Sequence, residues 1–228
     1  MRKKYFIFGA NSAVAKNFIR TIKGNSNIIC FTSKNTKKKI IKNIKYFKTN
    51  YSTNSVNKIL KREIDNKNKN IFLFFNAISE HKAFYKIDEK ELTKIINVNY
   101  RLPILLTNII IKNFYLKKLI LIYFSSSRAL NIDKGIALYG STKIGLESFV
   151  KSMALEYGNL GLNFRVVSLG LIEGGLEKTI TEELKSSILK RSSITKKIKI
   201  EEIHKIVEFI VRDTTGNGST IKCDNGYF

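Results

Sequence analysis

The stretch KYFIFGANSAVAKNFIRTIKG, residues 4–24, decides the fold. It opens on a short apolar run, meets Gly9 where a chain can turn tightly, and continues with Val14, Phe18, Ile19 and Ile22 at helical spacing. That is a strand, a loop and a helix. Outward from it, NIICFTSKN reads as a second buried strand and IKYFKTNYS as a third, and the helical VNKILKREI leads to a fourth strand, NIFLFFNAIS. The helical DEKELTKIINVNYRLPILLTNIIIKNFY precedes the strand KLILIYFSSS, and the helix ALYGSTKIGLESFVKSMALEYG (137–158) precedes the strand NFRVVSLG. Strands alternating with helices build βαβ units, so a parallel, doubly wound α/β sheet covered by helices on both faces is expected. Pro103, the lone proline, either kinks the long helical stretch or marks where it begins.

Composition bounds the rest. At 228 residues and 43% hydrophobic content the chain is long enough for one substantial core and short for two, which predicts a single domain over residues 1–228. No apolar run is long enough for a membrane span, and MRKKYFIFGANS has too few apolar positions before its glycine for a signal peptide. A cytoplasmic protein without membrane insertion is expected. Cys30, Cys223, His81 and His204 are too dispersed for a disulfide framework or a metal site. The net charge of +23 admits nucleic acid, a membrane surface or an anionic ligand as partner. Its texture argues for a solvated lysine surface first and steering of an anionic ligand second, because lysines are scattered, arginine is sparse, and Lys, Asn and Ile are enriched together. Dedicated nucleic-acid binding is not expected.

An open α/β sheet binds ligands at the carboxyl ends of its strands. At the first such end, FGANSAVA, Gly9 permits the turn, and the helix starting near Ser12 aims free N–H groups at a pyrophosphate. Glycine followed by small residues is also common at ordinary strand-to-helix turns. Further on, Tyr139 and Lys143 lie at i and i+4 and share a helix face. They read either as a proton donor and the cation that lowers its pKa, or as an amphipathic helix with a snorkelling lysine.

The order of these and other segments resembles the short-chain dehydrogenase/reductase family from residue 5 to the C-terminus. GANSAVA stands at the glycine-rich loop, FNA at the Asn-Ala-Gly motif, and VNYRLPILLT at the segment bearing the active-site asparagine. YFSSS stands at the strand end bearing the catalytic serine, YGSTK is the Tyr-xxx-Lys motif, SLGLIEG stands at the Pro-Gly loop and STIKCDNGY at the closing Asp-Gly-Gly segment. The resemblance implies a single Rossmann-type domain with a substrate lid over about residues 171–200. Departures are Ala13 and Ala15 for glycines, Ile78 for glycine, Leu169 for proline, Gly174 where threonine is common, and Asn225 for glycine.

The resemblance further implies hydride transfer between a nicotinamide and a ketone or secondary alcohol, with Asn99, Ser126, Tyr139 and Lys143 as the catalytic group. Lys143 also holds the nicotinamide ribose, and Asn99 supports a water that links the lysine to solvent. Ser126 lies 13 residues before Tyr139, the family's usual separation, although Ser125 and Ser127 flank it; strand alternation excludes them only if the strand reaches that far. Cofactor contacts are expected from Gly9, Asn11, Ser12, Ala13, Val14, Thr32, Ser33, Lys34, Asn50, Tyr51, Asn76, Ala77, Tyr139, Lys143, Gly170 and Ile172. The second strand ends in FTSKN with no carboxylate, so NADP(H) is favoured over NAD(H), with Thr32, Ser33 and Lys34 toward the 2′-phosphate. Lid lysines suit an anionic substrate such as a nucleotide-linked sugar or a carrier-bound 3-oxoacyl group. A homodimer or homotetramer is expected through the helices after Asn99 and around Tyr139, and a nucleotide-binding regulator without turnover is the alternative reading.

Overall fold

The computed structural model describes residues 2–24, 26–33, 43–131, 134–176, 180–213 and 215–228. Its centre is a seven-stranded sheet in the order β3-β2-β1-β4-β5-β6-β7, parallel throughout. The strands are β1 (Arg2–Phe8), β2 (Asn27–Thr32), β3 (Ile44–Lys48), β4 (Asn68–Phe74), β5 (Leu119–Ser126), β6 (Asn163–Leu169) and β7 (Thr220–Cys223). The order reverses between β1 and β4, which opens a crevice beside Gly9 at the carboxyl ends of the strands.

Alternation along each strand sorts the core into two layers. Tyr5 and Ile7 of β1 face α1 (Ala13–Ile22) and α8 (Ile200–Arg212), packing with Phe18, Ile22, Val207 and Ile210. Phe6 and Phe8 face the other way, toward Leu60 of α2 (Thr53–Glu63), Leu106 and Ile110 of α4 (Leu102–Phe114) and Val150 of α6 (Ala137–Tyr157). That second layer carries a row of aromatic rings across four strands, Phe31, Phe8, Phe74 and Tyr123, which are register neighbours. Their ring centroids are 4.5, 5.1 and 4.4 Å apart. Contacts of this kind each add about 1 kcal/mol beyond burial and fix the strand register.

The long helical stretch after residue 88 is resolved into α3 (Glu89–Ile96), a π turn (Asn97–Arg101) and α4. Pro103 sits at the start of α4, the second of the two placements expected of it. Lacking an N–H, it cannot close the α-helical hydrogen bond on the Asn99 carbonyl four residues back. The π turn therefore lies where that carbonyl has lost its usual donor. Between β6 and α8, residues 170–199 hold α7 (Glu182–Lys190) and are tied down by a bridge between Ile172 and Ile198. A four-residue helix, α5 (Ser127–Leu130), follows β5 directly.

Candidate active site

β1 ends at Phe8, and the backbone turns at Gly9 with φ +73°, in the left-handed region. A Cβ there would lie 2.8 Å from the Asn76 amide nitrogen, so glycine is needed both for the turn and for the packing of this loop on the end of β4. Tyr51 fastens the same loop from the β3 side: its hydroxyl accepts from the Gly9 N–H (3.2 Å) and donates to the Phe31 carbonyl (3.0 Å). Asn11 donates to the Thr32 hydroxyl. Ser12 is the N-cap of α1 and accepts from the Ala15 N–H at 3.2 Å. The first turn of α1 carries no acidic residue, whereas those of α3, α7 and α8 do, which leaves the positive end of α1 open to an anion.

A cavity of about 290 Å³ lies beyond this helix end. Of the residues expected to contact cofactor, it is lined by Ser12, Ala13, Val14, Asn76, Ala77, Tyr139, Lys143, Gly170 and Ile172. Gly9, Asn11, Thr32, Ser33, Asn50 and Tyr51 stand outside its lining, on the β1–β2–β3 side. Asn50 is exposed and accepts from the Ser52 N–H at the start of α2. Thr32 is buried, and Ser33 is exposed. Lys34 lies outside the described residues. The fit to a dinucleotide rests on a helix N-terminus free of carboxylates and on Asn76, whose buried Oδ1 has no hydrogen-bond partner while the residue lines the cavity.

The departures have physical accounts. Ala13 is exposed at the mouth of the cavity, and Ala15 is buried against the sheet. Gly174 has φ +70° and Asn225 φ +58°, so the first position excludes threonine and the second takes the residue that tolerates left-handed backbone best after glycine. The Ile78 main chain clamps Asn99: its N–H donates to Asn99 Oδ1 at 2.9 Å and its carbonyl accepts from Nδ2 at 2.8 Å. Leu169 stays in the β6–β7 ladder opposite Cys223, and the Gly170 N–H donates to the Cys223 carbonyl at 2.9 Å.

The three consecutive serines separate by structure. β5 continues through Ser126, which lines the cavity with Tyr139 and favours its phenolate, while Ser127 turns away and donates to Asp224 Oδ2 at 2.6 Å. Tyr139 and Lys143 are buried on one face of α6, and both reach the cavity. Lys143 Nζ donates to the Phe124 carbonyl at 2.8 Å and lies 5.7 Å from the Tyr139 ring centroid. Asn99, fully buried in the π turn, also donates to Thr142 of α6 at 3.3 Å.

One electrostatic expectation is corrected. Lys143 was expected to lower the Tyr139 pKa, but burial pushes this phenol up to about 12, with Glu80 adding to the rise and Ser126 and Arg128 opposing it. Burial also brings the Lys143 ammonium down to about 8, opposed by Glu147. Lys143 Nζ is directed to the Phe124 carbonyl, and desolvation is the largest influence on Tyr139.

Sequence reasoning missed four residues around Tyr139. Glu80 is buried, and its Oε1 accepts from the Tyr139 N–H at 2.8 Å. It caps α6, whose own N-cap, Ile136, offers no side-chain acceptor. Ser79, His81 and Arg128 line the cavity. No spacing rule connects residues 79–81 to residues 128 and 139; the parallel adjacency of β4 and β5 brings them together. Among the described residues no group of His, Cys, Asp and Glu is placed to hold a metal, and no helix is long and apolar enough to cross a membrane.

Comparison with known proteins agrees with this fold. A family model described as enoyl-(acyl carrier protein) reductase matches residues 52–228. A 3-oxoacyl-[acyl-carrier-protein] reductase of Buchnera aphidicola is 25% identical over 241 residues, covering 100% of this chain and 98% of that protein. Among solved structures, a 3-ketoacyl-(acyl-carrier-protein) reductase from Brucella melitensis complexed with NADH superposes with a TM-score of 0.84 at 17% identity, covering 98% of this chain and 97% of that one. ElxO with NADP bound gives 0.85 at 18% identity, covering 100% and 99%. At these identities the superpositions speak to the fold. The family match spans most of the chain and includes Asn99, Ser126, Tyr139 and Lys143. The chain belongs to the short-chain dehydrogenase/reductase family and is an NAD(P)-dependent oxidoreductase acting on CH–OH and C=O groups.

Proposed function

We propose that the chain transfers hydride between NADP(H) and a ketone or secondary alcohol of an anionic substrate, through Ser126, Tyr139 and Lys143 with Asn99 holding their surroundings. The observation that carries this reading is the convergence of Ser126, Tyr139, Lys143 and the amino end of α1 on one cavity. Gly9, Asn11, Ser12, Ala13 and Val14 would hold the pyrophosphate, Thr32, Ser33 and Lys34 the 2′-phosphate, Asn50 and Tyr51 the adenine side, and Asn76, Ala77, Gly170 and Ile172 the nicotinamide side. When bound, the reduced cofactor supplies the hydride that the ketone carbon accepts.

The side chains supply the rest. Ser126 donates to the substrate oxygen and stabilises the charge that develops there. Tyr139, held neutral by burial, gives its proton to that oxygen as it becomes an alkoxide. Lys143 is poised near neutrality to take up and release protons behind it. Asn99 is a positioning residue, fixed on both sides by Ile78 and joined to α6 through Thr142. The absence of any carboxylate among the cavity's described lining residues supports an anionic substrate. The similarity to a 3-oxoacyl-[acyl-carrier-protein] reductase makes 3-oxo compounds the first to try.

Fluorescence titration with NADPH and NADH tests the cofactor reading. NADPH is expected to bind about tenfold more tightly, and Lys34→Ala to remove most of that preference. Equal affinities would overturn the NADP(H) assignment, and binding of neither would overturn the proposal. Assembly through α4 and α6 is part of the same reading and is supported by exposed Ile144 and Leu155 on α6 and Leu116 just beyond α4. Sedimentation is expected to give a dimer or tetramer that Leu155→Glu dissociates; a monomeric parent protein would refute this part.

A further inference from the structure

Among the described residues the cavity is lined by two permanently or potentially cationic side chains of the long-chain type, Lys143 and Arg128. Lys143 belongs to the proton-transfer group. Arg128 does not. It lies in α5, two residues past the strand-end Ser126, and its charge acts on both Tyr139 and His81. His81 and Ser79 come from the loop after β4 and join at 3.1 Å between His81 Nε2 and the Ser79 hydroxyl. His81 Nδ1 is buried without a hydrogen-bond partner. Burial, with the Arg128 charge, takes the imidazole down to about 4, so it is neutral at physiological pH and Arg128 is the fixed charge of this end. The remaining wall includes Leu171, Leu176 and Ile188 and is apolar.

We propose that Ser79, His81 and Arg128 form a carboxylate subsite, and that the substrate is a small oxo acid whose carboxylate lies within a few bonds of the ketone. Arg128 and Tyr139 line the same cavity of about 290 Å³, so an anion paired with the guanidinium shares that small space with the reacting carbonyl. A phosphate on a distant carrier arm or nucleotide would lie too far from Tyr139 to use this charge. A guanidinium fork matches a carboxylate in two parallel hydrogen bonds, and a neutral ester or thioester offers it only one good acceptor. Discrimination between acid and ester follows from that difference, with a hydroxy acid as the product of reduction.

This inference rests on the nicotinamide reading and is tested so that the two can fail separately. Calorimetric titration of the NADP⁺ complex with acetoacetate, methyl acetoacetate and an acetoacetyl thioester of a short neutral thiol avoids turnover, because oxidised cofactor cannot reduce a ketone. Acetoacetate is expected to bind about tenfold or more tightly than either neutral compound. The preference is expected to fall to about twofold or less in Arg128→Met and to persist in part in Arg128→Lys, which keeps the charge and loses the fork. Equal binding of acid and ester, tighter binding of the thioester, or a preference unchanged in both variants by a protein that still binds NADP⁺ would overturn the subsite. Failure to bind NADP⁺ at all would overturn the nicotinamide reading, and the subsite with it.

Discussion

Replacing Glu80 separates a packing role from an electrostatic one at the active site. Its Oε1 accepts the Tyr139 N–H at 2.8 Å and supplies the cap that Ile136 cannot give α6, while its Oε2 is buried without a partner. Glu80→Ala strands a buried donor in the first turn of the helix that carries Tyr139 and Lys143. Losses of caps and of charge-assisted hydrogen bonds place the cost at about 2 kcal/mol. Glu80→Gln keeps an acceptor for that N–H and removes the charge, so it is expected to cost about 1 kcal/mol or less. Urea denaturation at neutral pH reads both values from the midpoints at unchanged slope. The second readout is the pH profile of alcohol oxidation. The Glu80 carboxylate opposes phenolate formation at Tyr139, so Glu80→Gln is expected to move the rising limb of that profile to lower pH. An Ala variant within about 0.5 kcal/mol of the parent protein, or a limb that moves to higher pH in Glu80→Gln, would refute the reasoning.

Two further outcomes follow from the same site. Lys143 has its native pKa lowered from 10.5 to about 8 by burial, so the unfolded chain binds more protons between those values and stability rises with pH across that window. The rise is about 3 kcal/mol for this group alone, and denaturation curves of Lys143→Met, compared with the parent protein from pH 8 to pH 10.5, are expected to lack that contribution. Gly9→Ala puts a methyl 2.8 Å from the Asn76 nitrogen at φ +73°, which is expected to cost about 1–2 kcal/mol and to weaken nucleotide binding. A variant with unchanged stability and affinity would show that the loop relaxes freely.

The fold was legible because hydrophobic period and turn residues agree along most of the chain. The apolar runs around Phe6, Ile29, Phe72 and Leu121 are buried strands, and the helical spacing from Val14 to Ile22 is the face α1 turns to the sheet. The proposed catalytic group came from a resemblance, and Ser126 from its separation from Tyr139; β5 extends to Ser126, the condition under which alternation sets it apart from its neighbours. Two departures from the family pattern, Gly174 and Asn225, became intelligible only from backbone angles, which no residue identity reveals. Glu80, His81 and Arg128 were not legible, because each acts across a strand-to-strand neighbourhood that sequence distance conceals. The raised Tyr139 pKa was missed for a related reason: the i, i+4 spacing shows that Lys143 is near, and says nothing of the burial that raises the phenol.

The central claim is that Tyr139 delivers the proton in a nicotinamide-dependent carbonyl reduction. The most direct test follows NADPH oxidation with a panel of 3-oxo acids and their esters, for the parent protein and for Tyr139→Phe, alongside NADPH titration of both. The account predicts similar NADPH affinity for the two proteins and a loss of turnover of about a thousandfold or more in Tyr139→Phe. Nucleotide binding without turnover of any carbonyl by the parent protein, or turnover that survives in Tyr139→Phe, would contradict it.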